Sequence, residues 1–235
     1  MLEKILEYER PLFLLLNSAH SPFGDQFMWL FSGFIAWIPV ALLFFIILFY
    51  ANRTRWKEVL LIVAAIVLTI LLCDQFSSGW CKPFFARYRP TRHPDFMGVV
   101  LTVFDYKAGT YGFISSHAAN GFGFATVTSL IFRNKFYAVV LFLWATVSAY
   151  SRIYLGVHFI SDIIPGIVTG IFFGWIVYQI FVLAHKKTVG GIQQETPYPR
   201  NGLTFIISAL LATVALLVFL SSLYAFQLIP AIQIK

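Results

Sequence analysis

The chain has 235 residues and a formal charge of +7, and it is 59% hydrophobic against 11% charged, with a mean hydropathy of +0.79. Soluble domains are about a quarter charged, so this composition excludes an ordinary soluble fold. The basic residues sit in short connections between apolar blocks, which argues for a membrane protein and against a nucleic-acid partner.

In chain order, residues 1–22 come first. Glu3, Lys4, Glu7, Glu9 and Arg10 alternate with Leu, Ile and Phe, the pattern of an amphipathic helix lying on the membrane surface. The apolar stretch 12–16, framed by Arg10 and His20, is too short for the core of a signal peptide. Pro22, Gly24 and Asp25 are expected to form a turn.

Six apolar blocks follow, at residues 27–50, 59–80, 118–132, 137–154, 159–184 and 203–228. A spanning helix needs about 20 residues, with a range of about 17–25. The expected fold is therefore all-α: a polytopic membrane bundle of about six transmembrane helices plus the interfacial helix, in one membrane-embedded domain over 1–235. The third block is short and would span only with its ends buried in protein.

Arg53, Arg55 and Lys57 join the first two spans, Arg133 and Lys135 the next pair, and Lys186, Lys187 and Arg200 the last pair. All three connections fall on one side, which marks it as cytoplasmic. Gly190, Gly191, Pro197 and Pro199 read as an irregular linker within 185–202. The other side holds residues 82–116 and the turn at 152–158. Lys82, Arg87, Arg89, Arg92 and Lys107 lie there, against the usual charge rule, so function is the better account of them. Cys73 and Cys81 show no zinc or redox spacing and read as small buried residues.

Three stretches carry candidate chemistry. His158 and Asp162 stand four apart, the spacing of one helix face. A carboxylate there fixes one imidazole nitrogen as donor and frees the other to attack or accept a proton. Gly156 permits a bend that brings Arg152 to the same place. Ser115 and Ser116 open the third span, where a serine N-cap and free N–H groups make an anion site, with His117 in the first turn as a proton donor. Lys82 offers a point charge and Arg89 a planar fork for phosphate oxygens. Each stretch alone has a plainer reading: a satisfied polar pair, a capped helix, a basic edge against lipid head groups. Together they supply cations, N–H donors, a nucleophile and an acid, the set that phosphoryl transfer needs.

These stretches resemble the signature of the type 2 phosphatidic acid phosphatase family, membrane lipid phosphatases related to the vanadium haloperoxidases. The family pattern of Lys, six residues and Arg-Pro matches at Lys82, Arg89 and Pro90. The pattern Ser-Arg, five residues, His, three residues and Asp matches at Ser151, Arg152, His158 and Asp162. The middle pattern Pro-Ser-Gly-His keeps Ser115 and His117 but has Ile114 for Pro and Ser116 for Gly.

The resemblance implies a metal-independent, cofactor-free hydrolase of lipid phosphates. His158 would attack phosphorus, Asp162 would hold it, and His117 would protonate the leaving oxygen and then activate water. Lys82, Arg89, Arg152, Ser115 and the Ser116 backbone would hold the phosphate, with the Ser116 side chain narrowing the pocket. The implied site faces the periplasm from a bacterial inner membrane. Candidate substrates are undecaprenyl pyrophosphate, a lipid A phosphate and phosphatidylglycerol phosphate, the first two favoured.

Supporting roles are expected for Asp74, as a neutraliser of Lys82 or Arg152, and for Arg87, which with Tyr88 would line the pocket mouth. The loop 91–113 either covers the site, selects head groups or is a plain solvated connection. His20 and His185 read as interfacial, without partners at useful spacing. The rival reading is a transporter or flippase that only binds phosphate; it would need polar residues along several spans, and Asp74 is nearly alone. The implied partners are the lipid substrate and the bilayer; the sequence does not set an oligomeric state.

Overall fold

The computed structural model describes residues 2–51, 55–189 and 200–233. Arg53 and the linker positions Gly190, Gly191, Pro197 and Pro199 lie outside them. Helix α1 spans Leu2–Asn17 and α2 spans Pro22–Ser32. Helix α3 runs Ile38–Ala51 and α4 runs Trp56–Phe85. They are followed by α5 (Ser116–Phe132), α6 (Lys135–Tyr154), α7 (Ile160–Thr188) and α8 (Arg200–Ala225).

Among the described residues, α4, α6, α7 and most of α8 are long and apolar enough to cross a membrane. The first expected span is not straight. It is the pair α2 and α3, bent by 69°. Ser21 caps α2 by accepting from the Gly24 amide, and Pro22 sits in the first turn, where its missing N–H costs nothing. The expected turn at 22–25 is thus a helix start, and the helix stops at Gly33.

The expected third span is α5, only 17 residues long, so its rise is about 25 Å. It is also the most enclosed, packed between α7, α6 and α4. Small residues permit this. A Cβ on Gly170 would lie 2.4 Å from the Ala119 carbonyl oxygen, and one on Gly166 would lie 2.7 Å from that of Ser115. The close approach of α5 and α7 brings the Ser115 amide to the Asp162 carbonyl at 3.0 Å, joining two halves of the candidate site.

Helix α4 carries the third part. It is α-helical to Asp74, π-helical over Gln75–Cys81 and α-helical again over Lys82–Phe85. Wide turns of this kind often mark functional sites. Lys82 therefore rides on a helix end, and the loop expected to begin at 82 begins at Ala86. Residues 86–115 then cross the same end of the bundle, pinned by an isolated bridge between Tyr88 and Tyr111. Exposed over much of its length, the loop is nonetheless anchored to the bundle. Phe96 is buried against Phe13 and Phe159, and Val103 against the α6–α7 turn.

Candidate active site

The turn from α6 to α7 places three of the expected residues. Arg152 lies in the last turn of α6, and its carbonyl accepts from the amides of Val157 and His158 at 3.0 and 3.3 Å. Gly156 makes the reversal at φ +70°, a conformation that costs glycine little. His158 precedes α7 rather than lying on it. Asp162, in the first turn, accepts from the Phe159 amide at 3.0 Å and meets His158 Nδ1 at 3.3 Å. The pair thus meets across a helix cap, a tighter arrangement than the shared helix face that the spacing suggests.

The other imidazole nitrogen, Nε2, is 2.9 Å from Arg89 Nη1. A guanidinium has only donors. Nε2 therefore carries the lone pair and Nδ1 the proton. Burial, and then the charges of Arg89, Arg152 and Lys82, hold His158 well below the ordinary histidine value, so the ring is neutral.

Four cations surround this ring, and their partners divide them. Arg87 is buried between two carboxylates, with Nη1 2.8 Å from Asp162 and Nη2 3.0 Å from Glu9. Arg87 does not line a pocket mouth, as the sequence suggests; it braces Asp162 from behind. The other three have neutral hydrogen-bond partners. Lys82 donates to Ser78 at 2.8 Å and Ser116 at 2.5 Å. Arg89 donates to the Val157 carbonyl at 2.9 Å as well as to His158. Arg152 donates to Ser32.

Burial and then Arg152 draw Arg89 down to about 10, which leaves it charged at neutral pH. The Nε atoms of Arg89 and Arg152, like that of Arg87, are buried without a hydrogen-bond partner. Buried donors in this condition call for an acceptor, and an oxyanion beside Arg89 and Arg152 would supply one. Arg92 and Lys107, which also break the charge rule, stand exposed outside the cluster.

At the start of α5, Ser115 is fully buried and caps the helix through the Ala118 amide at 3.4 Å. The Ser116 hydroxyl meets both Lys82 and Ser78, the latter at 2.8 Å. Its side chain therefore joins the cation rather than merely narrowing the space. Asp74 reaches Lys82 through Ser78, which it binds at 3.2 Å. His117 is exposed on the wall of a cavity of about 490 Å³, together with Trp29, Ser32, Phe34, Tyr106 and Arg152. Among the described residues, no three His, Cys, Asp or Glu side chains gather as metal ligands.

Sequence reading misses Glu9, Ser32, Ser78 and Ser161. Ser78 lies one turn before Lys82 and so was findable by spacing. Glu9 and Ser161 meet over 152 positions, and no local pattern announces that. His20 and His185 are not lone either. His20 Nδ1 lies 2.8 Å from Asp25, which also accepts from Tyr154, and His185 lies 3.1 Å from Glu58 at the far end of the bundle.

Known proteins are similar to this chain. The model of the PAP2 superfamily matches residues 59–186. A lipid A 4'-phosphatase of Porphyromonas gingivalis is 48% identical over 80% of this chain and 79% of its own length. A lipid A 4'-phosphatase of Bacteroides thetaiotaomicron is 37% identical over 86% and 88%. The crystal structure of Aquifex aeolicus LpxE aligns with a TM-score of 0.55 and 29% identity, covering 73% of this chain and 95% of that one.

Proposed function

The chain belongs to the PAP2 superfamily and is a membrane lipid phosphatase that hydrolyses a phosphomonoester, and from that premise we propose that its substrate is a lipid A phosphate, cleaved through a phospho-histidine at the periplasmic face of a bacterial inner membrane. Two relatives named for lipid A support that substrate over undecaprenyl pyrophosphate and phosphatidylglycerol phosphate. The basic connections at the far end of the bundle support the orientation, with Arg55, Lys57, Arg133, Lys135, Lys186 and Lys187 opposite the site.

The observation that carries the mechanism is the unprotonated Nε2 of His158, set among three cations whose partners are neutral. Phosphate oxygens bind to Lys82, Arg89, Arg152, the Ser115 hydroxyl and the Ser116 amide, so Arg89 exchanges His158 for the substrate. Nε2 then attacks phosphorus. The bond to the lipid oxygen breaks, and His117, which takes up a proton from water as the bound phosphate offsets the neighbouring cations, gives that proton to the oxygen. Asp162 holds Nδ1–H and stabilises the positive ring as it forms. Water, deprotonated by His117, then attacks the phospho-histidine and releases inorganic phosphate. In-line transfer puts the leaving lipid on the His117 side, where the 490 Å³ cavity lies. That volume falls within the range of about 300–1,000 Å³ usual for ligand sites.

The test is phosphate release by the purified protein in detergent with EDTA, offered lipid A, undecaprenyl pyrophosphate and phosphatidylglycerol phosphate. Release from lipid A that His158→Ala abolishes is the expected result. Turnover that survives His158→Ala sinks the assigned nucleophile, and preference for another lipid sinks the assigned substrate.

A further inference from the structure

Helix α7 is only partly capped by its own residues. Its N-cap residue, Phe159, has no side-chain oxygen to offer the free amides of the first turn. Asp162 takes the amide of Phe159. The amide of Ser161 is taken by Glu9, a residue of α1, at 2.8 Å. Glu9 also accepts from the Ser161 hydroxyl at 2.5 Å and from Arg87 at 3.0 Å, and its side chain is only 9% exposed.

The carboxylate therefore does two things at once. It caps the catalytic helix from a different helix, and it holds the guanidinium that holds Asp162. We propose that Glu9 is a positioning residue of the catalytic site, first in a relay that runs Glu9, Arg87, Asp162 and His158. The relay rests on the reading of His158 as nucleophile.

Arg87 links the two carboxylates. Arg87 offers Nη2 to Glu9 and Nη1 to Asp162 Oδ1. With Oδ1 occupied, Asp162 is left with Oδ2 for Nδ1 of His158. Arg87 is further fixed by Phe159, whose ring centre lies 4.8 Å from its guanidinium carbon. Removal of Glu9 takes one anchor from Arg87, which keeps Asp162, the Ser161 hydroxyl at 2.7 Å and Phe159, and leaves the Ser161 amide uncapped; both changes loosen Asp162 against the imidazole. Misplacement of a reacting group by about 1 Å can cost about a hundredfold in rate. Helix α1, an interfacial anchor by its sequence pattern, thus reaches into the chemistry of the enzyme.

The test is a double-mutant cycle in the full-length protein, with kcat and KM measured on lipid A. Glu9→Ala is expected to lower kcat by about ten- to a hundredfold with KM changed less than about twofold. Glu9→Gln, which keeps one acceptor, is expected to recover part of the loss. In an Asp162→Asn background the further cost of Glu9→Ala is expected to fall below about threefold, because groups that act as a unit are not additive. Costs that multiply in full overturn the relay, as does Glu9→Ala with wild-type kcat. If Glu9→Ala fails to fold, Glu9→Gln runs the same cycle. A silent Asp162→Asn would bring down the reading of the site itself, whereas a slow Asp162→Asn beside a silent Glu9→Ala brings down the relay alone.

Discussion

The two ends of the bundle carry the same three kinds of side chain in nearly the same arrangement. At one end His158 meets Asp162 at 3.3 Å and Asp162 meets Arg87 at 2.8 Å. At the other, His185 meets Glu58 at 3.1 Å and Glu58 meets Arg55 at 2.5 Å. All of these carboxylates and imidazoles are buried. In the far triad the guanidinium and carboxylate answer each other, and no donor meets the second nitrogen of His185. The near triad faces three more cations with neutral partners and the first turn of α5. A histidine–carboxylate–arginine set is therefore not in itself a catalytic site. Surplus donors on the imidazole's free side make the difference.

That difference can be tested by treating the two ends alike. His158→Ala should cost the most, at least about 10⁴-fold in kcat, since it removes the nucleophile. His185→Ala should leave kcat within a few-fold. Asp162→Asn should cost about 10³–10⁴-fold, as the loss of an imidazole's orienting carboxylate does elsewhere. Glu58→Gln breaks a buried pair and should cost about 3–5 kcal/mol of stability, read as a lower melting temperature in detergent, with turnover kept. Equal losses of activity at both ends would contradict the comparison.

Smaller effects sharpen it. Arg89→Ala removes a donor aimed at the nucleophile and should cost about 10²–10³-fold in kcat. The protonation state of His158 is open to nuclear magnetic resonance with histidine-labelled protein. Burial and the neighbouring cations depress its folded value, so its ring signals should not titrate as pH falls through about 6.5, where an unperturbed histidine does. The unfolded chain takes up that proton and the folded chain does not. This residue therefore contributes a loss of stability as pH falls below about 6.5 toward the folded value. Last, Ser116→Gly removes one hydroxyl from Lys82 and should change KM about two- to tenfold, the range of one hydrogen bond.

Much of the candidate site's convergence was legible because phosphate chemistry sets spacing. Lys82 to Arg89 and Arg152 to Asp162 are short stretches whose members must converge, and Gly156 signals the bend between them. The long apolar blocks likewise gave α4, α6, α7 and α8, since a bilayer leaves a chain few alternatives. What stayed hidden depends on contacts between distant segments. Glu9 lies in a helix whose charge pattern suits a membrane surface equally well, and only the fold shows that it faces α7. Arg87 has the same residue type as Arg89 two positions on, yet one braces Asp162 and the other meets the free nitrogen of His158. The bend between α2 and α3 was lost inside a continuous apolar run, because hydropathy records composition and not direction.

The central claim is that His158 takes the phosphate covalently, and trapping tests it most directly. His117→Ala protein would be mixed with a labelled aryl phosphate, whose leaving group needs no proton, then quenched with alkali and mapped by mass spectrometry. The account predicts an acid-labile phosphate on His158 that accumulates because no group activates the water. Phosphate on any other residue, or steady turnover with no phosphorylated protein, would contradict it.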